Sequence, residues 1–383
     1  MQAILAVISL VSLAAWFYLA GLRGRFWRSG PVLLLQNPPA PAGNACVTAV
    51  VPARDEAATI QQSLAALLGQ NYAGEFSVLL VDDNSTDGTS QAAAALQAGG
   101  RLTILHGAPL PEGWSGKLWA VHQGLAHPRA RQADYVLLTD ADIEHEPGHL
   151  AALVAKAEEG GLDLVSEMVR LHCVTRAERA LIPAFVYFFQ MLYPFAWVAG
   201  RGKRVAGAAG GTMLVRRAAL DRIDGVTRFR QQLIDDCALA AEIKSSGGRI
   251  WLGHARQARS MRVYADWREV WQMIARTAYV QLDRSLLKLA ACTAAMCLIF
   301  LAPPLLAALA HGWARAASVL AWCVMALTFQ PTLRRYRRPW PWGWALPAIA
   351  FFYLCATVAS AVLHYAGRGG GWKNRIYAGI TPR

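Results

Sequence analysis

Charge is scarce in this chain. Only 16% of its 383 residues are Asp, Glu, Lys or Arg, while 55% are apolar. That balance lies between a water-soluble enzyme and a protein made of membrane spans. The length allows one large domain plus membrane segments, or two soluble domains. Acids are scarcer still, 25 against 38 Lys and Arg, which leaves a formal charge of +13. A nucleic-acid surface is one reading of such an excess. The basic residues cluster instead beside apolar runs: Arg23, Arg25 and Arg28 after the first, and Arg334, Arg335, Arg337 and Arg338 after a later one. That placement favours a membrane protein with basic flanks, and no nucleic acid is expected as a partner. Seven cysteines include no C-x-x-C pair, which argues against a disulfide framework or a zinc ribbon. Cys292, Cys297, Cys323 and Cys355 lie in apolar runs and read as small hydrophobes.

What is present begins with an uncharged run over residues 3–20, long enough to span a bilayer core. No basic residue precedes it and three Arg follow it, which argues against a cleaved signal peptide. The same asymmetry puts Met1 outside and the next region in the cytoplasm. Residues 1–24 are therefore expected to be an N-terminal anchor. Further apolar runs lie near 289–310, 313–330 and 344–365, and Pro303-Pro304 interrupts the first of these. They define a C-terminal transmembrane region over 286–366, followed by a basic tail at 367–383. The "RRYRR" stretch places the 332–341 loop in the cytoplasm, and Arg368, Lys373, Arg375 and Arg383 suggest the same for the tail. Three full crossings cannot put both the catalytic region and the tail inside. Either one run is re-entrant or the tail faces outward.

Between the anchors, residues 44–280 read as one cytoplasmic α/β domain. Short apolar strands ("CVTAVV", "FSVLLVDD", "RLTILH", "DYVLLTD", "DLVSEM") alternate with helical stretches, the pattern of βαβ units in a mostly parallel sheet. Within it, 181–200 is apolar and aromatic but carries Pro183, Gln190 and Pro194, and is expected to lie at the membrane interface.

Ligands of such sheets bind at the carboxyl ends of strands, so the loops after strands carry the chemistry. "LLTDADIEHE" packs four acids into seven residues, and a positive group is expected among them. Asp140 and Asp142, one residue apart after a strand, can both reach a divalent cation; hard cations take oxygen ligands and share them with phosphates. A solvated acidic loop is the plainer alternative. "VVPARDE" and "LLVDDNSTDGT" end two other strands, and a carboxylate there can accept from a base N–H or a ribose hydroxyl. Ser85, Thr86 and Asp87 also suit a turn and helix cap. Lys117 opens a helix in "EGWSGKLWA" and can meet a diphosphate, although Pro111 and Leu118 rule out a Walker loop. "HEPGH", His145 to His149, matches the H-E-x-x-H zinc pattern, but Pro147 and Gly148 break the helix which that chemistry needs. Asp235 and Asp236 are expected to open a helix, where one acid can serve as a general base or both can simply favour the helix dipole. Gln272 and Arg276 stand at i, i+4, and the Arg can hold a leaving diphosphate or snorkel from an interfacial helix.

The ordered series VPARDE, VDDNSTDGT, GWSGK, TDAD, GGTMLVRR, IDD and ARTAY resembles the membrane-bound family 2 glycosyltransferases of GT-A fold. The nearest resemblance is to hopene-associated glycosyltransferases, with ceramide glucosyltransferase more distant. It covers about residues 46–280, the terminal spans and the "GWKNRIY" tail. The resemblance implies transfer of a sugar from a nucleotide-sugar, usually a UDP-sugar, with Mg²⁺ or Mn²⁺. It implies that Pro52, Arg54, Glu56 and Asp83 line the nucleoside pocket, that Lys117 approaches the nucleotide phosphate and that Asp140 contacts the ribose. Asp142 would bind the metal, Asp236 would be the base beside Asp235, and Gly210 and Gly211 would border the acceptor. The implied reaction is an inverting displacement onto a membrane lipid hydroxyl at the cytoplasmic face of the inner membrane, and the narrower resemblance implies a hopanoid acceptor. Processive relatives carry Q/R-x-x-R-W. Here Gln272 and Arg276 are one residue too far apart and Thr277 replaces Trp, which favours a single transfer over a polysaccharide synthase. The tail has Asn374 where relatives tend to show Gly. A zinc protease and a non-catalytic scaffold are the remaining rivals.

Overall fold

Strand β1 (Val47–Ala53) and strand β2 (Phe76–Asp82) are buried at every position, as continuous apolar strands covered on both faces must be. Successive side chains point to opposite faces. Val50 of β1 joins a cluster with Leu118, Val121 and Leu125, while Val47, Ala49 and Val51 pack against Ile60, Leu64 and Leu67 on the other side. The computed structural model describes residues 2–33, 44–96, 98–202 and 204–368, and the backbone of 371–372 and 375–376.

Six more strands complete the sheet: β3 (Leu102–His106), β4 (Tyr135–Leu138), β5 (Ile143–His145), β6 (Leu164–Arg170), β7 (Met213–Arg216) and β8 (Ile250–Ser260). The order is β3-β2-β1-β4-β7-β6-β8-β5. From β3 to β4 every pairing is parallel, as the alternating pattern predicts. Beyond β4 the sheet is mixed: β7 is antiparallel to both β4 and β6, β8 is parallel to β6, and β5 is antiparallel to β8. This is the mixed α/β sheet of a GT-A-like fold, with the carboxyl ends of β1, β2 and β4 side by side.

Among the described residues five helices are long and apolar enough to cross a membrane: Gln2–Gly21, Arg176–Ala199, Leu286–Leu309, Gly312–Arg335 and Trp340–Tyr365. A third cluster, including Trp16, Tyr187, Phe329, Leu346 and Tyr353, binds them together. Gln2–Gly21 meets Gly312–Arg335 through Ser318 Oγ donating to Ser9 Oγ at 2.9 Å. Pro303-Pro304, expected to interrupt an apolar run, does not end the helix. Five residues of π-helix, Cys297–Leu301, stand before it, and the Ile299 carbonyl, which Pro303 cannot serve, accepts from Trp16 Nε1 at 2.7 Å.

The 181–200 stretch is a seam. Its Arg176–Leu192 helix is followed by Phe195–Ala199, with Pro194 at the junction. Ile182 and Val186 face the sheet domain, while Leu181, Ala184 and Tyr187 face the helical bundle. Both basic helix ends meet the sheet domain or this seam: Arg335 donates to Ala255 O of β8, and Arg23 Nε donates to Met191 O at 3.2 Å. The Leu346–Tyr365 helix runs beside Trp267–Gln281 in the same direction. Phe352 packs on Trp271, and the Tyr279 and Tyr365 hydroxyls lie 3.0 Å apart. In the tail, Gly371–Trp372 and Arg375–Ile376 pair antiparallel, whereas Lys373, Asn374 and Arg383 lie outside the described residues.

Candidate active site

The strand-end acids converge, and the positive group expected among them is Lys117. Its Nζ lies 2.8 Å from Asp140 Oδ1 and 3.0 Å from Asp235 Oδ2. Lys117 follows Gly116 at the start of the Gly116–Ala126 helix, which packs on β1 and β2 and so aims its first turn at the carboxyl edge of the sheet. Burial works against the lysine's charge, yet Asp140 and Asp235 hold its pKa well above the ordinary value. Sequence reasoning aimed Lys117 at a phosphate and Asp140 at a ribose. In the structure the two are bonded to each other, the lysine offsetting the Asp140 and Asp235 charges directly.

Asp236 opens the Asp235–Ser245 helix and is held by two backbone donors. Gly210 N donates to Oδ2 at 2.8 Å and Cys237 N to Oδ1 at 2.7 Å. Burial, and then repulsion from Asp235, push its pKa up to about 6. A Cβ placed on Gly210 would lie 3.5 Å from Asp236 Oδ2, 3.5 Å from Lys117 Nζ and 3.7 Å from Asp140 Oδ2, so all three groups meet at that glycine. Gly211 next to it is packed tightly, with a Cβ meeting Val169 Cγ1 at 2.9 Å. Pro52, Lys117, Asp140, Gly210 and Asp235 line one narrow cleft.

Asp142 sits on the far side of the same turn. Ser260 Oγ donates to its Oδ2 at 3.1 Å, and Met261 N donates to its backbone carbonyl at 2.8 Å. Burial and then Glu56 raise its pKa, so an acid without a full counter-charge lies at this spot. Arg54 ties the two nucleoside-side loops together: its Nη1 donates to Asp83 O at 2.5 Å and lies 3.5 Å from the Asp83 carboxylate. Asp55 and Thr86 cross-link the same loops, with Thr86 N donating to Asp55 Oδ1 at 2.9 Å. The "DDNSTDGT" turn also caps itself as its composition predicts: Ser85 N donates to Asp82 Oδ1 at 3.0 Å and Thr89 N to Asp87 Oδ1 at 3.0 Å. Arg276 projects solvent-exposed into this deep cleft. Burial of its surroundings and then Arg262 depress its pKa, while Asp140 and Asp235 oppose that.

The zinc-like pair behaves differently. His145 ends β5 and His149 opens the His149–Gly160 helix, so the two do not share a helical face. Their rings bond each other, His145 Nδ1 to His149 Nδ1 at 2.8 Å.

Residues 48–224 match the model of the family described as glycosyl transferase family 2. This stretch is a family 2 glycosyltransferase domain. No curated protein matches the chain. Among solved structures, a mannosyltransferase from Pyrobaculum calidifontis, in complex with GDP-Man and Mn²⁺, is similar over 97% of this chain and 100% of that one. Its TM-score is 0.57 at 22% identity, a likeness of fold. Glucosyl-3-phosphoglycerate synthase from Mycobacterium tuberculosis covers 63% of this chain and 80% of its own, with TM-score 0.40 and 18% identity. Mannosyl-3-phosphoglycerate synthase from Rubrobacter xylanophilus covers 63% and 75%, with TM-score 0.39 and 19% identity.

The structure lines one cleft with Pro52, Lys117, Asp140, Gly210 and Asp235, holds Asp236 against Gly210, and sets Asp142 and Arg276 close to the same acids, with Arg54, Glu56 and Asp83 on the β1–β2 side. Sequence reasoning missed Ser260, Arg262 and Tyr264. Ser260 ends β8, an eleven-residue strand whose Arg and Gln content hides its apolar pattern, and the other two follow it. It also missed Tyr193, whose hydroxyl accepts from Gln281 Nε2 at 2.7 Å and lies against the Cys237 thiol beside Asp236.

Proposed function

We propose that this enzyme moves a single sugar from a nucleotide-sugar, a UDP-sugar or GDP-sugar, to a hydroxyl of a membrane lipid, with inversion. The observation that carries the reading is Asp236: a half-buried carboxylate fixed by two backbone N–H groups at the rim of a cleft lined by acids, its pKa pushed up to about 6. A base poised near working pH can take the proton of an attacking hydroxyl. The domain fold and the ordered motifs supply the reaction class, and Lys117 keeps Asp235 and Asp140 from repelling Asp236 further.

A divalent cation fits the donor set. Asp142 offers a hard oxygen whose burial and nearness to Glu56 are only partly offset by Ser260 and Arg262, and Asp140 stands one residue away. Among the described residues no group of three or more His, Cys, Asp and Glu forms a ready cage. Mg²⁺ or Mn²⁺ would therefore be held by Asp142 and complete its shell from diphosphate oxygens and water. When bound, the cation neutralises charge on the departing diphosphate. The chain's own part is to orient: Arg54, Glu56, Asp83 and Pro52 frame the nucleoside, and Arg276 faces the leaving group.

Several features support a lipid acceptor. A groove of about 880 Å³ opens between the Trp267–Gln281 and Leu346–Tyr365 helices, lined by Trp267, Trp271, Phe351, Phe352 and Cys355. Gln272 lines it too, and Arg276, one helical turn on, reaches the acids of the cleft. The motif resemblance makes a hopanoid the first acceptor to try. The basic ends of Gln2–Gly21 and Gly312–Arg335 beside the sheet domain support a cytoplasmic-facing site at the inner membrane. The return of Leu346–Tyr365 to Tyr279 supports a tail on that same side, with Trp340–Tyr365 re-entrant. The test incubates membranes with a panel of radiolabelled nucleotide-sugars, then extracts lipids. One donor is expected to leave one sugar per lipid in the organic phase; polymer would favour a synthase, and no label from any donor would favour a scaffold.

A further inference from the structure

The H-E-x-x-H pair belongs to no zinc site, yet four consecutive hydrogen bonds join it to the catalytic cleft. Glu167 Oε2 lies 2.6 Å from His149 Nε2, His149 Nδ1 lies 2.8 Å from His145 Nδ1, and His145 Nε2 lies 3.0 Å from Thr139 Oγ1. Thr139 Oγ1 then donates to Gly211 O at 2.8 Å. All four side chains are buried, none more than 3% exposed. The ring centroids are 5.1 Å apart with planes 22° from parallel; with nitrogens 2.8 Å apart, the rings meet edge to edge rather than face to face.

Proton bookkeeping gives the chain a direction. A carbonyl only accepts, so the single Thr139 hydroxyl proton is spent on Gly211 O. Thr139 must then accept from His145, which puts the His145 proton on Nε2 and leaves Nδ1 as an acceptor. His149 must therefore donate from Nδ1. That holds whether the proton between His149 Nε2 and Glu167 belongs to the imidazole or to the carboxyl.

The two ends of this chain matter. Thr139 immediately precedes Asp140 and His145 follows Asp142 by three residues, so the relay clamps both flanks of the D-x-D turn. Gly211 adjoins Gly210, whose N–H holds Asp236. Glu167 N donates to Thr212 O at 3.1 Å and Ser166 Oγ accepts from Ala209 N at 2.9 Å, tying the 209–212 loop to β6 on both sides of that contact.

We propose that His145 and His149 are positioning residues. Their one-way relay from His149 to Gly211, anchored on Glu167, locks the turn bearing Asp140 and Asp142 to the loop that anchors Asp236, so the donor-side acids and the base move as one body. The inference rests on the proposed reaction only for its kinetic arm.

The test pairs variants that break opposite ends of one imidazole. Gln places its amide near the Nε2 position and can still donate to Thr139; Asn places its amide near Nδ1 and cannot. His145→Gln is expected to keep sugar transfer within about 3-fold of wild type. His145→Asn is expected to lose about 10–100-fold, the usual range for a partner that orients a working side chain. Thr139→Ser is expected to match wild type and Thr139→Val to fall with His145→Asn. Melting temperatures are measured alongside, and the proposal requires the Gln and Asn variants to melt together while their kcat values part. Equal losses in both, or losses that follow melting temperature, would overturn it. Independently of activity, ¹⁵N-histidine NMR of the full chain in bilayers is expected to show His145 protonated at Nε2 and His149 at Nδ1. A proton on His145 Nδ1 would overturn the relay's direction even if transfer were confirmed. Correct tautomers with no transfer by the wild type would leave the relay standing and defeat the proposed reaction instead.

Discussion

Asp236→Asn separates the base's role in chemistry from its cost to the fold. Its pKa is raised from 3.8 to about 6, roughly two units, which corresponds to about 3 kcal/mol. The sign follows from the direction. The folded state holds this proton more tightly than the unfolded chain, so the stabilisation is complete below 3.8 and is lost as pH rises through about 6. Asn carries no such term. It has one acceptor oxygen for two backbone donors, Gly210 N and Cys237 N, and so strands one of them at about 1–3 kcal/mol. Wild type is thus expected to be more stable than the variant by about 1–3 kcal/mol at pH 4, and the advantage should vanish or reverse by pH 8. Denaturant unfolding of the sheet domain's tryptophan signal in detergent, across pH 4 to 8, reads that difference. Sugar transfer should fall about 10²–10⁴-fold, and wild-type kcat/KM should climb with pH and level off above about 6. A stability gap that is flat with pH, or that widens as pH rises, would refute the burial argument.

Other perturbations follow from the same geometry. Lys117→Met strands Asp140 and Asp235. With a fifth of the lysine side chain exposed, the loss is expected at about 2–4 kcal/mol at pH 8 and smaller at pH 5, read by chemical unfolding. Gly210→Ala meets its neighbours at ordinary contact distance, so folding should change by less than about 1 kcal/mol while transfer drops at least about tenfold. Gly211→Ala drives a Cβ against Val169 and should instead cost about 1–3 kcal/mol of stability. Arg276→Ala should lower kcat about 10–100-fold, with Arg276→Lys restoring only part of it, because a point charge cannot grip two phosphate oxygens at once.

Much of this was legible in the sequence for definite reasons. β1, β2 and β4 are buried at every position and so appear as mostly apolar runs, and β6 is buried up to Arg170 although Ser166 and Glu167 lie within it. β3 was equally readable, though only half buried. β5 spans three residues inside an acidic stretch, and β8 carries the exposed Arg256 and Arg259 and the half-buried Gln257, so neither shows a clean period. The acids were visible as strand-end clusters; their bonding was not. Lys117 and Asp235 are 118 residues apart, and only the crossing of two chain segments at Gly210 makes them partners. Likewise Pro147 and Gly148 exposed the false zinc motif, but Glu167 and Thr139, which explain the two histidines, are joined to them only through the sheet.

Transfer of labelled sugar into extracted lipid, compared across wild type with and without chelator, Asp142→Asn and Asp236→Asn, tests the core of the account most directly. The account predicts label in wild type, its loss on chelation and with Asp142→Asn, and its loss with Asp236→Asn even at saturating Mn²⁺. Transfer that survives chelator, or that proceeds undiminished in Asp236→Asn, would contradict it.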